Sequence, residues 1–267
     1  MRPKWTNYDA GSLIYFTVVH ALCLLAPARC TWATLAVFGV TYFCTGCLGI
    51  ALGYHRCLTH RSFKLPRWLE HSVAYLGVLA SQSDPMDWVS QHRHHHLHSD
   101  KAADLHSPAH GLAWAHMGWL LDRTTVDKKM RAAKLVPDLV ADPFYPWLER
   151  TYEFHVLGSV ALLYLFGGVP WVVWGYGVRT VAVWHATFSV NSVAHAYGRV
   201  AHDTGDTSRN SHLVALVSFG EGFHNNHHRF PRSARHGLEW HQPDVTWGVI
   251  WGLQRAGLAT MVRTVKK

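Results

Sequence analysis

An uncharged stretch of sequence decides the fold of this chain: TWATLAVFGVTYFCTGCLGIALGY, residues 31–54. It has 24 residues, and an α-helix needs about 20 apolar residues to cross the hydrocarbon core of a bilayer. The polar segment His55-Arg-Cys-Leu-Thr-His60 follows directly. The sequence therefore predicts a transmembrane helix that leads into a pair of histidines.

A second apolar run, residues 12–28, precedes this stretch and follows Arg2 and Lys4, as in a signal peptide. Its neighbour favours a different interpretation, because residues 12–28 and 31–54 are separated only by a short turn near Arg29. Two adjacent runs of this length are typical of a helical hairpin. We therefore expect both helices to be retained in the membrane.

The apolar runs at residues 151–166 and 170–190 predict a second hairpin, with its turn in the Gly-Gly-Val-Pro sequence of residues 167–170. Arg179 interrupts the last run, and a charge at membrane depth is expected to face the protein interior or to reach the interface. The predicted fold class is an all-α integral membrane protein with four transmembrane helices in two hairpins.

Basic residues indicate the orientation of these helices. The two short turns contain only Arg29, whereas the N-terminus and residues 55–150 and 191–267 contain nearly all other Lys and Arg residues. By the positive-inside rule these basic segments are cytoplasmic. Residues 1–267 are thus expected to form one multi-pass domain with a cytoplasmic helical cap, in which the apolar residues 68–80 are too short to span.

The composition points away from nucleic acid and toward metal. The formal charge of +8 lies in segments that flank the apolar runs, which suits anionic lipid better than a nucleic-acid surface. The 22 histidines are the unusual feature, since imidazole is the commonest metal ligand in proteins. Cys44 and Cys47 form a CxxC inside an apolar run, where helix packing is the simpler interpretation.

Histidine is concentrated in motifs with helical spacing. On an α-helix, positions i, i+3 and i+4 share one face, so an HxxHH motif can direct three imidazoles toward one place. His55 and His60 are five residues apart, which suits a helix end. The motifs are His55-Arg-Cys-Leu-Thr-His60, His92-Arg-His-His95-His96, Asn191-Ser-Val-Ala-His195 and His224-Asn-Asn-His227-His228.

The predicted topology brings these motifs together, because each hairpin returns the chain to the same side of the membrane. Nine imidazoles exceed the ligand set of one tetrahedral zinc, so two metal ions are indicated, and imidazole suits iron in oxygen chemistry. Isolated histidines are expected to be solvated or hydrogen-bonded instead. Those are His20, His71, His155, His185 and His241.

Five motifs together resemble those of membrane fatty acyl desaturases of the stearoyl-CoA desaturase and cyanobacterial delta-9 acyl-lipid desaturase type. The resemblance extends from about Tyr42 to Ala259 and keeps the order and compatible spacing of the motifs. It rests on GYHRCLTHRSF, DWVSQHRHHHLHSD, HMGWLLD, NSVAH and GEGFHNNHHRFPRSARHG.

The resemblance implies a set of metal ligands, with Asn191 binding through a water molecule. It also implies that His94 and His98 lie beside the ligands, and that nearby carboxylates orient imidazole N–H groups. An ordinary salt bridge or helix cap is the alternative for each carboxylate. The implied ligands are His55, His60, His92, His95, His96, His195, His224, His227 and His228, and the carboxylates are Asp87, Asp100, Asp104 and Glu221.

The acyl chain is expected to lie in a bent channel lined, by the same resemblance, by Gln82, Trp88, Trp119 and Thr187. Simple packing is the alternative for these four side chains. Animal acyl-CoA desaturases have an Arg-Asp pair before the second histidine motif, where this chain has the Ser-Gln of residues 90–91. That departure favours a lipid-bound acyl group over a CoA thioester.

The helix that leads into His55 also suggests where the channel ends. Counting back in fours gives Ala51, Cys47 and Phe43, one face of an α-helix. At 1.5 Å per residue, Phe43 would lie about 18 Å and Cys47 about 12 Å below His55. We expect these two residues to bind the methyl end of the substrate, unless the stripe packs against a neighbouring helix.

The predicted function is oxygen-dependent desaturation of a saturated acyl chain, giving a cis double bond at delta-9. Its cofactors would be two Fe²⁺ ions with O₂ as co-substrate, and its electrons would come from a separate donor of the ferredoxin or cytochrome b5 type, since the chain has no flavin or GxGxxG motif. Two alternatives remain open: a related hydroxylase or ketolase, and a histidine-rich metal transporter.

Overall fold

The computed structural model describes residues 7–123 and 132–265, and within those ranges the chain is helical, with isolated β-bridges and no β-strand. This confirms the predicted all-α class. The helices are α1 (Ala10–Leu22), α2 (Trp32–Thr59), α3 (Arg67–Val78), α4 (Pro85–His98), α5 (Trp119–Leu121), α6 (Pro137–Val140), α7 (Phe144–Arg150), α8 (Tyr152–Val172), α9 (Arg179–Asn191), α10 (Val193–Ala196), α11 (His212–Val217), α12 (His224–Arg229) and α13 (Val245–Arg255).

The N-terminal helix α1 starts two residues before the predicted boundary and ends earlier, at Leu22. Asp9 caps it by accepting a hydrogen bond of 2.7 Å from the backbone N–H of Ser12. Two 3₁₀ turns follow, Cys23–Leu25 and Pro27–Arg29, and they connect α1 to α2. The predicted run 12–28 is therefore one helix followed by a tight connection.

Within residues 7–123 and 132–265, helix α2 is one of two segments that are long and apolar enough to cross a membrane. A capping box of Thr31 and Thr34 fixes its start, and it continues five residues past the predicted end at residue 54. The last part of this helix, Phe43–Thr59, is π-helical, with hydrogen bonds from residue i+5 to residue i. His55 therefore lies within this helix, and His60 caps it.

The second such segment, Tyr152–Ala196, contains 45 residues and reverses direction at Gly168. Gly168 has φ 62° and ψ −157°, a conformation that suits glycine. The reversal brings Leu163 against Gly175, where an added Cβ would lie 2.9 Å from Leu163 Cδ2. In a straight α-helix these residues would be about 18 Å apart along the axis. The predicted turn is thus confirmed, although α8 continues around it.

Arg179 lies in the interior, with 2% of its surface exposed. Its Nη1 donates to the carbonyl of Leu79 at 2.5 Å and its Nε donates to the carbonyl of Gly175 at 3.0 Å. The charge therefore satisfies backbone carbonyls where two helical segments meet. This placement agrees with the expectation that a charged residue in an apolar run faces the protein.

Helix α3 crosses α2 at very close range, and α4 packs against both helices. Gly49 and Gly53 of α2 allow this approach, because a Cβ on Gly49 would lie 2.6 Å from the carbonyl carbon of Leu76. Tyr54 of α2 then packs in one core cluster with Ala74 of α3 and Val89 of α4. This packing positions the histidines of α4 over those at the end of α2.

Candidate metal centre

The first histidine cluster combines three separate parts of the chain. Its members each offer a ring nitrogen, and these atoms all lie within 4.8 Å of one another. His227 Nε2 is 3.2 Å from His55 Nε2 and 3.0 Å from His96 Nε2. The cluster consists of His55, His60, His92, His96 and His227.

The second cluster lies beside the first and contains four imidazoles, whose nitrogens also lie within 4.8 Å of one another. His224 Nε2 is 3.0 Å from His195 Nε2. The rings of His95 and His96, which belong to different clusters, have centroids 5.5 Å apart. The second cluster consists of His95, His195, His224 and His228.

The π-helix explains the five-residue spacing of the first motif. The backbone N–H of His60 donates to the carbonyl of His55 at 3.1 Å, an i+5 to i hydrogen bond. Residues five apart therefore lie on one face, and the two ring centroids are 4.7 Å apart. The spacing reflects the helix type, and the pair lies in the last turn of α2, at the helix end that the sequence predicted.

Each HxxHH motif divides its three histidines between the clusters, so the expectation that three imidazoles meet at one place is wrong. In α4, His92 and His96 enter the first cluster while His95 enters the second. In α12, His224 and His228 enter the second cluster while His227 enters the first. Residues i and i+4 are about 40° apart around an α-helix, whereas i+3 lies on the other side of i, which separates one histidine from the pair.

Unpaired imidazole nitrogens indicate that the clusters can bind metal ions. His60 Nε2, His95 Nε2 and His228 Nε2 are buried and have no hydrogen-bond partner among the described residues. Leaving a buried polar atom unpaired costs about 1–3 kcal/mol. A metal ion in each cluster would satisfy all of these nitrogens.

The protonation state of the clustered imidazoles also favours metal binding. Burial lowers the pKa of His60, His92, His96, His224 and His227 well below the usual value for histidine. Burial also lowers the pKa of His95 to about 3, against the opposing effect of Asp104. The imidazoles are therefore neutral at physiological pH, which is the form that binds a metal.

Carboxylates hold the outer nitrogens of the second cluster. His95 Nδ1 is 3.0 Å from Asp104 Oδ2, and His228 Nδ1 is 2.6 Å from Asp206 Oδ2. Asp100 Oδ2 lies 3.4 Å from His195 Nδ1 and accepts hydrogen bonds from Thr207. Such partners fix the ring orientation and keep Nε2 directed at the metal position.

One carboxylate serves the first cluster, within a buried ion-pair network. Glu221 forms a short contact with His55 Nδ1, and its other oxygen lies 2.8 Å from Arg56 Nη2. Arg56 also lies 2.9 Å from Asp244. Burial alone would raise the pKa of Glu221, but Arg56 and His55 hold it well below the usual range.

Asp87 lies apart from the other three predicted carboxylates. Its Oδ1 accepts a hydrogen bond of 2.7 Å from Gln91 Nε2. Two further residues, Asp206 and His236, contact the clusters and were not predicted from the sequence. Asp206 lies in an irregular loop, and His236 is 1% exposed with its Nδ1 3.3 Å from Glu221 Oε2. Neither residue has helical spacing relative to a clustered histidine, although His236 lies in the GEGFHNNHHRFPRSARHG motif.

A cavity of about 540 Å³ lies against both clusters. His55 and His92 of the first cluster and His224 of the second line it, as does Asn191, the last residue of α9. The four residues predicted to line the acyl channel all line this cavity: Gln82, Trp88, Trp119 and Thr187.

Three of those four residues form a hydrogen-bonded chain. Gln82 Nε2 donates to Thr187 Oγ1 at 2.9 Å, and Trp88 Nε1 donates to Gln82 Oε1 at 3.3 Å. The ring of Trp88 stacks on His92 with centroids 5.2 Å apart. This polar chain therefore fixes the shape of the cavity next to the first cluster.

The wall that α2 contributes differs from the predicted stripe. It consists of Gly46, Ile50, Ala51 and His55, together with Tyr42. Phe43 and Cys47 lie outside it: Cys47 Sγ is 3.6 Å from Thr246 Oγ1, and Phe43 packs edge-on against Phe219. The reason is the π-helix, because counting in fours and a rise of 1.5 Å apply only to an α-helix.

Comparison with known proteins decides the family. The fatty acid desaturase family model matches residues 31–259. The chain belongs to the fatty acid desaturase family. The icosanoyl-CoA 5-desaturase of Limnanthes douglasii is 48% identical to this desaturase over 264 residues, which cover 98% of this chain and 74% of that protein.

Two relatives from Arabidopsis thaliana differ in substrate by name. The palmitoyl-monogalactosyldiacylglycerol delta-7 desaturase is 47% identical over 97% of this chain and 70% of its own length. The delta-9 acyl-lipid desaturase 1 is 45% identical over 97% of this chain and 85% of its own length. This desaturase is therefore an oxidoreductase of unsaturated fatty acid biosynthesis, and its family alone does not fix the position of the double bond.

Several histidines outside the clusters have ordinary partners in the desaturase. His94 Nε2 is 2.9 Å from the carbonyl of Ala103, and His98 packs on His94. His20 Nε2 lies 3.1 Å from His185 Nε2, and His185 in turn contacts His116 at 2.8 Å. These contacts agree with the interpretation of isolated histidines as hydrogen-bonded side chains.

Proposed function

We propose that the desaturase binds two ferrous ions, one in each histidine cluster, and uses O₂ to introduce a cis double bond into a saturated acyl chain. The supporting observation is the convergence of five and four imidazoles on two adjacent centres beside a cavity. Asn191 is proposed to hold a metal-bound water, since it lines the cavity next to a ligand. The acyl chain is carried by a lipid or by CoA, and the proposed position is delta-9.

Bound iron would supply the activation of O₂ and the removal of two hydrogens from the acyl chain. The protein positions the reactants. Glu221, Asp104 and Asp206 orient the imidazoles through their Nδ1 atoms. Trp88 and Thr187 define the cavity wall beside the clusters and keep the methylene groups in one conformation.

The proposed membrane arrangement has four crossings. The apolar helix Ala10–Leu25, the helix Trp32–Thr59 and the two arms of Tyr152–Ala196 on either side of Gly168 would each span the bilayer. The histidine clusters would then lie on the cytoplasmic side. Labelling of cysteines introduced at Arg29 or Trp240, in a variant without the native cysteines, tests this arrangement: the two positions should react from opposite sides.

Electrons are proposed to come from a separate donor, a ferredoxin or a cytochrome b5. Desaturation reduces O₂ to two waters with two hydrogens from the substrate and two external electrons, accompanied by two protons. A related hydroxylase reaction starts with the same hydrogen removal, so the product must distinguish the two. Metal transport is not supported, because the relatives are desaturases.

Expression in a host without its own desaturase tests this function. Fatty acids are then analysed separately for each lipid class and for the acyl-CoA pool. A cis double bond at carbon 9 that depends on His95 and His227 is the expected result. Hydroxylated products would contradict the proposed reaction. A double bond at carbon 5 or 7 would contradict the proposed position.

A further inference from the structure

The cavity opens between the start of α4 and the connection from α7 to α8. Glu149 and Glu153 line it there and are exposed at the surface, and we call this opening the mouth. They lie on either side of Thr151, where α7 ends and α8 begins. Other polar residues near this mouth also line the cavity: Ser12, Ser83, Asp84, Asp87 and Gln91.

The wall of the cavity has negative charge and, among the described residues, no lysine or arginine. Glu221 is neutralised by Arg56, but no ion pair with Glu149 or Glu153 occurs in the described parts of the chain. Burial and the nearby charges of Asp87 and Glu149 raise the pKa of Asp84 to about 6. The carboxylates at the mouth therefore repel one another.

Two buried polar atoms on the cavity wall have no hydrogen-bond partner among the described residues. They are Ser81 Oγ and Trp119 Nε1, in side chains that belong to residues only 5% and 6% exposed. Unpaired buried groups of this kind cost about 1–3 kcal/mol each. They indicate that a polar, uncharged part of a ligand completes the wall.

We propose that the mouth binds an uncharged, hydroxyl-bearing lipid headgroup, a glycosyl diacylglycerol, and rejects the polyanionic CoA carrier. This inference rests on the proposed desaturase function and selects the carrier that function leaves open. Sugar hydroxyls donate hydrogen bonds to carboxylates such as Glu149 and Glu153. The phosphates of CoA would instead meet like charges at the mouth, which disfavours that partner.

The test uses full-length, iron-loaded desaturase in nanodiscs with an electron donor. The same acyl chain is offered as monogalactosyl diacylglycerol, as phosphatidylcholine and as acyl-CoA, and kcat/KM is measured for each. We expect the galactolipid to exceed acyl-CoA by at least about tenfold, or about 1.4 kcal/mol. Equal or greater use of acyl-CoA or of phosphatidylcholine would overturn the inference.

Substitution at the mouth sharpens the test. Glu149→Gln combined with Glu153→Gln should lower the galactolipid to acyl-CoA ratio about tenfold, because it removes both the repulsion and the strongest acceptors. Asp203→Asn is the matched control, since Asp203 is exposed and does not line the cavity, and it should leave the ratio unchanged. An unchanged ratio in the double variant would contradict the inference.

Binding is measured in parallel, so that the carrier is tested independently of turnover. Competition of galactolipid and acyl-CoA for the unmodified desaturase and for the double variant should show the same preference and the same change. No product from any carrier would refute the proposed function, whereas product without a preference for the galactolipid would refute only this inference.

Discussion

The two histidine clusters differ in how the protein supports them. The first cluster has five imidazoles, one carboxylate, Glu221, and a buried arginine that neutralises this carboxylate. The second has four imidazoles and three carboxylates, Asp100, Asp104 and Asp206. The first is thus nearly neutral and built on α2, whereas the second is anionic and held partly by loops.

Because of this difference, the two proposed metal positions are not equivalent. Carboxylates hydrogen-bonded to imidazole increase the basicity of the ligand and stabilise positive charge on the metal. The second cluster should therefore bind its metal ion more tightly than four imidazoles without these carboxylates would. The first cluster should depend more on the intact packing of α2 and on Arg56.

Removing one ligand from either cluster should have the largest effect. His227→Ala and His95→Ala should each abolish turnover, because each leaves one metal position incomplete, while the helices remain folded. Activity in membranes and the amount of inserted protein measure this. His20→Ala and His241→Ala are the controls, and equal loss in all four variants would mean that ligands and other histidines have been confused.

Removing a carboxylate that contacts an imidazole Nδ1 should have different effects in the two clusters. Glu221→Gln leaves Arg56 without one of its two charged partners in a buried site, which destabilises by about 3–5 kcal/mol, so thermal stability should fall along with activity. Asp206→Asn should weaken metal binding about 10–100-fold with little loss of stability. The same loss of stability in both variants would contradict the difference between the clusters.

The cavity wall of α2 predicts which substitution changes chain length. Gly46 lines the cavity and an added Cβ would lie 2.9 Å from Phe219, so Gly46→Leu should favour acyl chains shorter by about two methylene groups, each contributing about 0.8 kcal/mol when buried. Cys47→Trp should instead lower stability by about 1–3 kcal/mol, because Cys47 packs against Thr246.

Product profiles with mixed substrates measure that difference. A shift in chain length from Cys47→Trp without one from Gly46→Leu would restore the α-helical stripe as the channel end.

Donor docking should show the smallest and most salt-dependent effect. Arg229 directly follows the ligand His228, and Arg229 and Arg232 are exposed. Exposed charge pairs are screened over about 8 Å at physiological ionic strength, so the KM for an acidic donor should rise with salt. Arg229→Gln should raise it further, and Arg29→Gln, in the connection after α1, should not. A KM independent of salt would favour apolar docking.

The clustering of these histidines was predictable because their spacing is local: residues three, four or five apart in sequence are neighbours on a helix. Their division between clusters was not, since it depends on the helices that face α4 and α12. The π-helical part of α2 also lacked a sequence signal, and for this reason Phe43 and Cys47 were placed on the wrong face. Asp206 and His236 reach the site through irregular segments that only the tertiary structure brings there.

The iron content of each cluster distinguishes two separate metal positions from one. The desaturase is purified anaerobically, loaded with ferrous iron and analysed for iron per chain together with Mössbauer spectra. Two irons in distinct environments are expected, with one remaining in His227→Ala and in His95→Ala, and with different spectra in the two variants. One iron in the unmodified protein, or the same residual spectrum in both variants, would contradict two separate metal positions.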